Sequence, residues 1–130
     1  METVSVKTRR RMEMIDVTDQ VSQIVSRSGV KQGLAVAYVP HTTAGVTINE
    51  NADPDVVHDI LLSLAETVPE HHSGYRHGEG NSDAHVKASL VGSSVTVIVE
   101  QGRLALGTWQ GIYFCEFDGP RHRKLFVQVR

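Results

Sequence analysis

The stretch Ser94-Val95-Thr96-Val97-Ile98-Val99 decides the fold class, because valine, threonine and isoleucine are residues that β-strands favour. A turn at Gln101-Gly102-Arg103 follows it. Further strand patterns pass through Leu104 and Leu106, through Phe117 and from Leu125 to Val129. Glycine and charged residues separate these segments, as they do in hairpins. Residues 94–130 therefore predict a run of antiparallel strands.

The segments before this run combine strands with a helix. Apolar and polar residues alternate over residues 3–17, which predicts two strands joined by a solvated turn near Arg9-Arg10-Arg11. Thr18 is predicted to cap a short helix, and Gly29 is predicted to end it. The apolar run from Leu34 to Val39 predicts a strand buried on both faces.

Two more helices are predicted in the middle of the chain. Asp53-Pro54 supplies a cap and a first-turn proline, apolar residues then recur at helical spacing, and Pro69 stops the helix. A glycine- and histidine-rich loop covers residues 69–81, and Ser82 is predicted to cap a third helix. Strands with intervening helices that end in an antiparallel run predict an α+β fold. We expect one compact domain over residues 1–130, with mainly antiparallel sheet and two to three helices.

The composition limits the classes of function. The chain has 130 residues, and 13 basic against 15 acidic residues give a formal charge of −2, which leaves no cationic surplus for nucleic acid. Cys115 lies within an apolar run, so we expect a buried, inert thiol. The N-terminus lacks the regions of a signal peptide, and no apolar run approaches the roughly 20 residues of a membrane span. We expect a soluble, cytoplasmic protein with no nucleic-acid or membrane partner.

Histidines point to a functional site. The segment His77-Gly78-Glu79-Gly80-Asn81-Ser82-Asp83-Ala84-His85 cannot build a core, and with His41, His71 and His72 it holds five of the seven histidines. We predict a polar pocket in which His41, His77 and His85 either ligate a divalent metal, zinc-like or magnesium, or shuttle protons. His77 and His85 are eight residues apart, which matches no dependable zinc signature. The pattern therefore predicts a site more strongly than a metal.

Other polar residues extend the predicted site. Glu50 and Asn51 are free to act as a base and a hydrogen-bond donor, since Asp53 is expected to cap a helix. The hydroxyls of Thr42 and Thr43 suit a phosphate group. The candidate phosphate clamps are Arg103, Arg121 and Arg123.

The C-terminal half resembles a known family. The pattern Ser94-x-x-Val97-x-Val99-x-x-Gly102-x-x-x-x-Gly107-Thr108-Trp109-Gln110-x-Ile112 is similar to the signature of the YjbQ-like family, also called secondary thiamine-phosphate synthase enzymes. The resemblance covers nearly the whole chain and is specific. It extends to Pro40-His41-Thr42-Thr43-Ala44, Asn49-Glu50-Asn51-Ala52-Asp53, His77-Gly78-Glu79-Gly80-Asn81, Ala84-His85 and Glu116-Phe117-Asp118-Gly119-Pro120-Arg121.

The resemblance implies a homotrimer with the polar pocket close to subunit contacts. It also implies that hydroxymethylpyrimidine diphosphate is joined to thiazole phosphate, with release of pyrophosphate. In a protein too short for the barrel of the dedicated enzymes, this reaction would be a weak side activity. Asn81, Trp109 and Gln110 then join the substrate-binding residues. Trp109 would offer an aromatic face, although tryptophan within a strand is more often part of the core.

Two other classes of function stay open from the residues alone. The first is a metal-dependent hydrolase of a small phospho-compound, in which the histidines hold an ion that activates water. The second is a non-catalytic trimer whose pocket holds a small anion. Both the synthase hypothesis and the hydrolase hypothesis predict a small phosphorylated molecule as the binding partner.

Overall fold

The computed structural model describes residues 1–130 and contains eight strands and three helices. The elements are β1 (Glu2–Lys7), β2 (Glu13–Asp16), α1 (Thr18–Ser28), β3 (Gln32–Tyr38), β4 (Ala44–Glu50), α2 (Pro54–Thr67), α3 (Ser82–Val91), β5 (Ser94–Glu100), β6 (Arg103–Leu104), β7 (Gln110–Glu116) and β8 (His122–Val129). None of the three helices combines the length and the apolar composition that a membrane-spanning segment requires.

The strands form two antiparallel sheets that enclose the main core. The larger sheet has the order β1-β8-β3-β5-β6 and the smaller one β2-β7-β4. Val6 and Leu125 from the larger sheet pack with Val46 and Phe114 from the smaller sheet, and all four are at most 6% exposed. The α+β fold with three helices is confirmed, and it follows from the alternation of apolar and polar residues along each strand.

The third strand is not buried on both faces, contrary to the sequence prediction. Ala35 and Ala37 face the core, but Leu34 is 49% and Tyr38 45% exposed on the outer face of the larger sheet. An apolar run is therefore not sufficient to predict a covered strand, because within one chain nothing packs on this face.

Two helix starts differ from the predictions. Val17 occupies the cap position of α1, and the Asp16 carboxylate accepts hydrogen bonds from the Thr18 amide (2.9 Å) and hydroxyl (2.5 Å). Thr18 instead accepts a hydrogen bond from the Ile112 amide at 2.8 Å, which ties the helix to β7. Asn81 rather than Ser82 occupies the cap position of α3. The predicted cap at Asp53 is confirmed, since its side chain accepts from the Asp55 amide.

The arginine run is more than a solvated turn. The guanidinium of Arg11 lies 3.0 Å from both Glu70 and Asp83 and 3.4 Å from Asp118. The long side chain therefore joins the β1–β2 connection to the loop before α3 and to the end of β7.

The contact of α3 with β4 sets the position of the histidine-bearing helix. A Cβ at Gly45 would lie 2.6 Å from the carbonyl oxygen of Gly92, so only glycine admits this close approach. The backbone amide of Val46 donates to the same carbonyl at 3.1 Å. The end of α3 is thus held directly against the start of β4.

Candidate functional site: a histidine-lined groove

His41 takes the place of a missing strand partner. β3 pairs with β8 as far as Tyr38 and Phe126, and the chain then leaves the sheet. The Lys124 amide donates to His41 Nε2 at 2.9 Å instead of to a β3 carbonyl. Burial and the positive charge of Arg123 lower the pKa of His41 below its ordinary value. The imidazole is therefore neutral at pH 7, and the hydrogen bond assigns its proton to Nδ1.

His41 and His85 line one pocket of about 480 Å³ between the start of β4 and the end of α3. Hydroxyl groups surround the two imidazoles. The other polar lining residues are Thr42, Ser89 and Ser93. The pocket offers hydrogen-bond donors and acceptors without any carboxylate, a lining that suits an anionic group better than a cation.

His85 also lies beside His77. Their ring centroids are 5.6 Å apart and the planes are nearly perpendicular. Both rings also line a second depression, beside the His41 pocket, together with Tyr75 and Ser82. A third depression adjoins the second one, because Tyr75, His77 and Ser82 line both. The three depressions therefore adjoin one another. We name the surface lined by His41, His71, His72, His77 and His85 the histidine groove.

A buried ion pair supports the floor near His41. Arg123 and Glu116, 6% and 0% exposed, are joined by two hydrogen bonds of 2.9 and 2.5 Å. Burial alone would raise the pKa of Glu116, but hydrogen bonds from Arg123, Thr8 and the Asp118 amide outweigh it and lower the value. The carboxylate stays ionised and holds Arg123 in place.

Thr43 is part of this support. Its hydroxyl accepts a 2.8 Å hydrogen bond from Arg123, and the residue is 6% exposed. The predicted role of Thr43 in binding substrate does not fit this geometry, because the hydroxyl faces inward and is already bonded. Arg123 is likewise a buried support and not a free clamp. Thr42 remains exposed beside the pocket.

A second buried network holds the start of α3. The Lys87 ammonium lies 2.5 Å from the Asp83 carboxylate, and these residues are 1% and 0% exposed. Asn81 is buried as well and donates to Asp118 at 2.9 Å, while its Oδ1 has no hydrogen-bond partner. Arg121 bonds Asp118 at 3.0 Å and is half exposed. Asn81 lies between Gly80 and Ser82, which line the groove, and it shares the Asp118 carboxylate with Arg121.

The remaining predicted residues lie elsewhere. β4 begins beside the His41 pocket and ends at Glu50, which pairs with Gln110. Seven extended residues separate these ends by about 20 Å. Trp109 is 62% exposed, so it is not a core residue, and its carbonyl accepts from the Asn51 amide at the far end. The chain thus separates Glu50, Asn51, Trp109 and Gln110 from the histidines.

The three histidines do not form a metal centre within one chain. No group of three histidine, cysteine or acidic side chains is arranged to hold an ion. His41 Nε2 already accepts from the Lys124 amide, and its Nδ1 carries the proton, so neither nitrogen offers a lone pair. His77 and His85 remain as an imidazole pair, which suits a zinc-like ion better than magnesium.

Sequence reasoning missed the importance of Lys87 and Glu116. Each has a local signal. Lys87 follows Asp83 by four residues on a helix, and Glu116 is a lone carboxylate between Cys115 and Phe117 in an apolar strand. A charged residue within a buried strand requires a partner, and here that partner is Arg123. Cys115 is buried as expected, and burial raises its pKa to about 12.

The fold and the groove define a class: a two-sheet α+β domain with histidines at one end of its sheets. A family model described as UPF0047 protein YjbQ-like matches residues 2–130. The UPF0047 protein YugU of Bacillus subtilis is 55% identical over 129 residues, covering 99% of this chain and 98% of that protein. The chain therefore belongs to the YjbQ-like UPF0047 family.

Solved structures agree with this assignment. A YjbQ/UPF0047 protein from Clostridium acetobutylicum superposes with a TM-score of 0.98 at 56% identity, and all of both chains is covered. A protein from Thermus thermophilus gives a TM-score of 0.93 at 42% identity, again over both whole chains. The C. acetobutylicum protein is described as uncharacterised. Family membership thus establishes the fold, and the reaction has to be inferred from the residues of the site.

Proposed function

We propose that this chain is a transferase that binds a small phosphorylated molecule in the histidine groove, with thiamine-phosphate synthesis as the reaction. The observation that carries the proposal is the neutral His41, whose Nδ1–H is left to donate while Nε2 is fixed by the Lys124 amide. A fixed donor in a pocket without carboxylates stabilises a developing anion.

The proposed reaction needs a leaving group to be stabilised and two rings to be aligned. The carbon–oxygen bond between the pyrimidine methylene and the diphosphate breaks, and the electron pair leaves with the diphosphate. The thiazole nitrogen then attacks the methylene carbon, which gives thiamine phosphate and pyrophosphate. His41 and the hydroxyls of Thr42 and Ser93 would hold the diphosphate, and His85 would face the same pocket from α3.

A divalent ion fits this proposal only in part. If a zinc-like ion binds, His77 and His85 would supply two imidazole ligands, and the diphosphate oxygens would complete the set. The ion would neutralise charge on the leaving group. Without an ion, a ring N–H of either imidazole would donate a hydrogen bond to the leaving group.

The test is turnover by purified protein given both substrates, with thiamine phosphate quantified by fluorescence. We expect His41→Gln and His85→Ala to lower turnover at least about 100-fold, the usual effect of losing an acid or oxyanion donor. His58→Asn is the matched control, because His58 is exposed on α2 away from the groove. Equal turnover in all four proteins, or none in the wild type, would reject the synthase proposal. Metal-dependent phosphate release would instead support the hydrolase.

We also propose that the chain forms a homotrimer through the outer face of the larger sheet. Leu34 pairs with Ile98, and Tyr38 packs against Phe126 with ring centroids 6.4 Å apart. Leu34, Tyr38 and Ile98 are 49%, 45% and 62% exposed. Exposed apolar residues at the centre of a sheet with charged residues at its rim, here Lys124 among them, are typical of subunit interfaces.

Sedimentation equilibrium tests the trimer. Ile98→Lys should shift the mass from three chains toward one, because it places a charge at the centre of the proposed interface. Leu90→Lys is the control, since Leu90 is 64% exposed on α3 and lies outside the sheet. A monomeric wild type would reject the trimer. Dissociation by Leu90→Lys alone would move the interface to the helices.

A further inference from the structure

A second pocket lies at the opposite end of the molecule from the histidine groove. It has a volume of about 540 Å³ and is formed by the end of α1 and the β5–β6 hairpin. We name it the hairpin pocket, and the lining residues that matter here are Ser22, Ser26, Lys31, Arg103, Leu104 and Leu106. Its volume lies within the range of small-molecule sites.

The hairpin positions its two cations. Glu100 pairs with Arg103 across a two-residue turn in which Gln101 and Gly102 both have positive φ, 54° and 76°. The Gly102 amide donates to the Lys31 carbonyl at 3.0 Å, and a Cβ at Gly102 would lie 3.5 Å from the Lys31 ammonium. Lys31 therefore lies over the turn, next to the first residue of β6.

Neither Lys31 nor Arg103 forms an ion pair, because the pairing of Glu100 with Arg103 is a backbone pairing of strands. The arginines that form ion pairs are Arg11, Arg27, Arg121 and Arg123, and the lysine is Lys87. Lys31 and Arg103 have no carboxylate within salt-bridge distance, and no carboxylate lines the pocket. Two positive charges at one cavity without a counter-charge attract an anion.

The rest of the lining suits a molecule with an apolar part. Ser22 and Ser26 are four residues apart on one face of α1, and neither hydroxyl is hydrogen-bonded within the chain. Leu104 and Leu106 supply an apolar wall beside them. The pocket thus presents cations and hydroxyls next to a hydrophobic surface.

The hairpin pocket is separate from the histidine groove. Arg103 is next to the last residue of β5, whereas Ser93, which lines the His41 pocket, directly precedes its first residue. The seven residues of β5 place about 20 Å between these ends. The sequence suggested Arg103 as a clamp for a phosphate bound near His41. This distance excludes that role within one chain.

We infer that the hairpin pocket is a second ligand site, which binds a small aromatic or aliphatic molecule through a phosphate or carboxylate group. Lys31 and Arg103 hold the anionic group, the serine hydroxyls donate to it, and Leu104 and Leu106 contact the apolar part. This inference is independent of the reaction proposed for the histidine groove.

Phenyl phosphate is the probe, because it joins a dianion to a small ring. In an NMR titration of the isotope-labelled protein we expect saturable shifts of the Lys31, Gly102 and Leu104 amides. The Lys31→Met and Arg103→Met variants should each weaken binding about tenfold, as expected for one charge-assisted hydrogen bond. His41→Gln should leave these shifts unchanged. Both cations are exposed, so the variants should fold.

Two matched ligands separate the sources of binding. Benzyl alcohol carries the ring without the charge and inorganic phosphate the charge without the ring, and both should bind more weakly than phenyl phosphate. Absence of saturable shifts at millimolar phenyl phosphate, or equal affinity of the two methionine variants and the wild type, would overturn the inference. Lower stability of Lys31→Met without any binding by the wild type would mean that the cations only complement the carboxyl end of α1.

Discussion

At the scale of single residues, His41 shows how one side chain can be both structural and functional. It closes the hydrogen bond that β8 lacks where β3 leaves the sheet, and in doing so it fixes its own tautomer. Its neighbours Arg123 and Glu116 were placed by tertiary contacts and not by local sequence. The histidine itself was identifiable from sequence, whereas its ionisation state was not.

The pKa of His41 is the first prediction at this scale. An NMR titration of its ring protons should give a midpoint below the ordinary value of 6.5, because burial and Arg123 disfavour the charged form. The unfolded chain then takes up this proton at a higher pH than the folded chain. The contribution of His41 to stability is therefore complete above pH 6.5 and decreases as the pH falls toward the folded pKa. A midpoint at or above 6.5 would contradict the neutral donor proposed for the groove.

The buried pair of Asp83 and Lys87 gives a second prediction. Lys87→Ala should lower the free energy of unfolding by about 3 to 5 kcal/mol, because it leaves a buried carboxylate with only the partly exposed Arg11 as a partner. Denaturation in urea measures the change. Arg27→Ala is the control, since its pair with Glu2 is exposed on both sides. That pair should contribute less than about 1 kcal/mol. Similar losses in both variants would show that Asp83 is not dependent on Lys87.

At the scale of elements, the caps and strand periods explain most of what was predictable. Gly29 ends α1 in the left-handed conformation, with φ 73°, and Asp53 caps α2. The predicted cap of α1 was wrong. The Thr18 hydroxyl accepts a hydrogen bond from β7, and the Asp16 carboxylate accepts one from the Thr18 amide. Local patterns identify a helix or strand reliably. A polar residue at its end can bond either a local or a distant partner, and the local pattern does not decide which.

The contact between β4 and α3 provides the prediction at this scale. Gly45→Ala should destabilise the protein by about 1 to 3 kcal/mol, because the new methyl group meets the Gly92 carbonyl and the end of α3 must move. The same shift should displace His85 relative to His41 and weaken ligand binding in the groove. Thermal unfolding and NMR titration with inorganic pyrophosphate measure the two effects.

Gly78→Ala is the matched control for this variant. A Cβ at Gly78 has nothing within 4 Å, and its φ is not positive. We expect no loss of stability from it. If Gly45→Ala and Gly78→Ala behave alike, the close approach of α3 to β4 is not what positions the groove.

At the scale of the whole molecule, ionised carboxylates join distant parts of the chain. Glu116 bonds Thr8 and Arg123, and Asp118 bonds Asn81 and Arg121. Burial opposes ionisation of both, but these hydrogen bonds outweigh it, so both pKa values lie below the ordinary values of 4.5 and 3.8. Glu116 and Asp118 therefore link the end of β1, the start of β8 and the loop before α3 to the end of β7.

Acid unfolding follows from these two groups. Their contribution to stability is complete above the pKa of the unfolded carboxyls and is lost as the pH falls through the lower folded values. We expect these two groups to add a further loss of stability below about pH 4.5, the ordinary value for Glu116, beyond the loss that His41 causes at higher pH. Glu116→Gln should make the acid side of the profile shallower, although the variant is less stable at pH 7. A profile with the same slope would show that Glu116 does not link ionisation to folding.

The sequence by itself determined the fold class, the family and the residue types of the site. These properties are local: strand and helix periods, caps and glycine turns depend on neighbours in the chain. The tertiary structure alone decided which of those residues meet. It brought His41 and His85 to one pocket, and it turned Thr43 inward to bond Arg123. It also separated Glu50, Trp109 and Arg103 from the histidines, because the two ends of β4 and of β5 lie about 20 Å apart. Separation in space depends on strand direction and sheet order, which no short stretch of sequence contains.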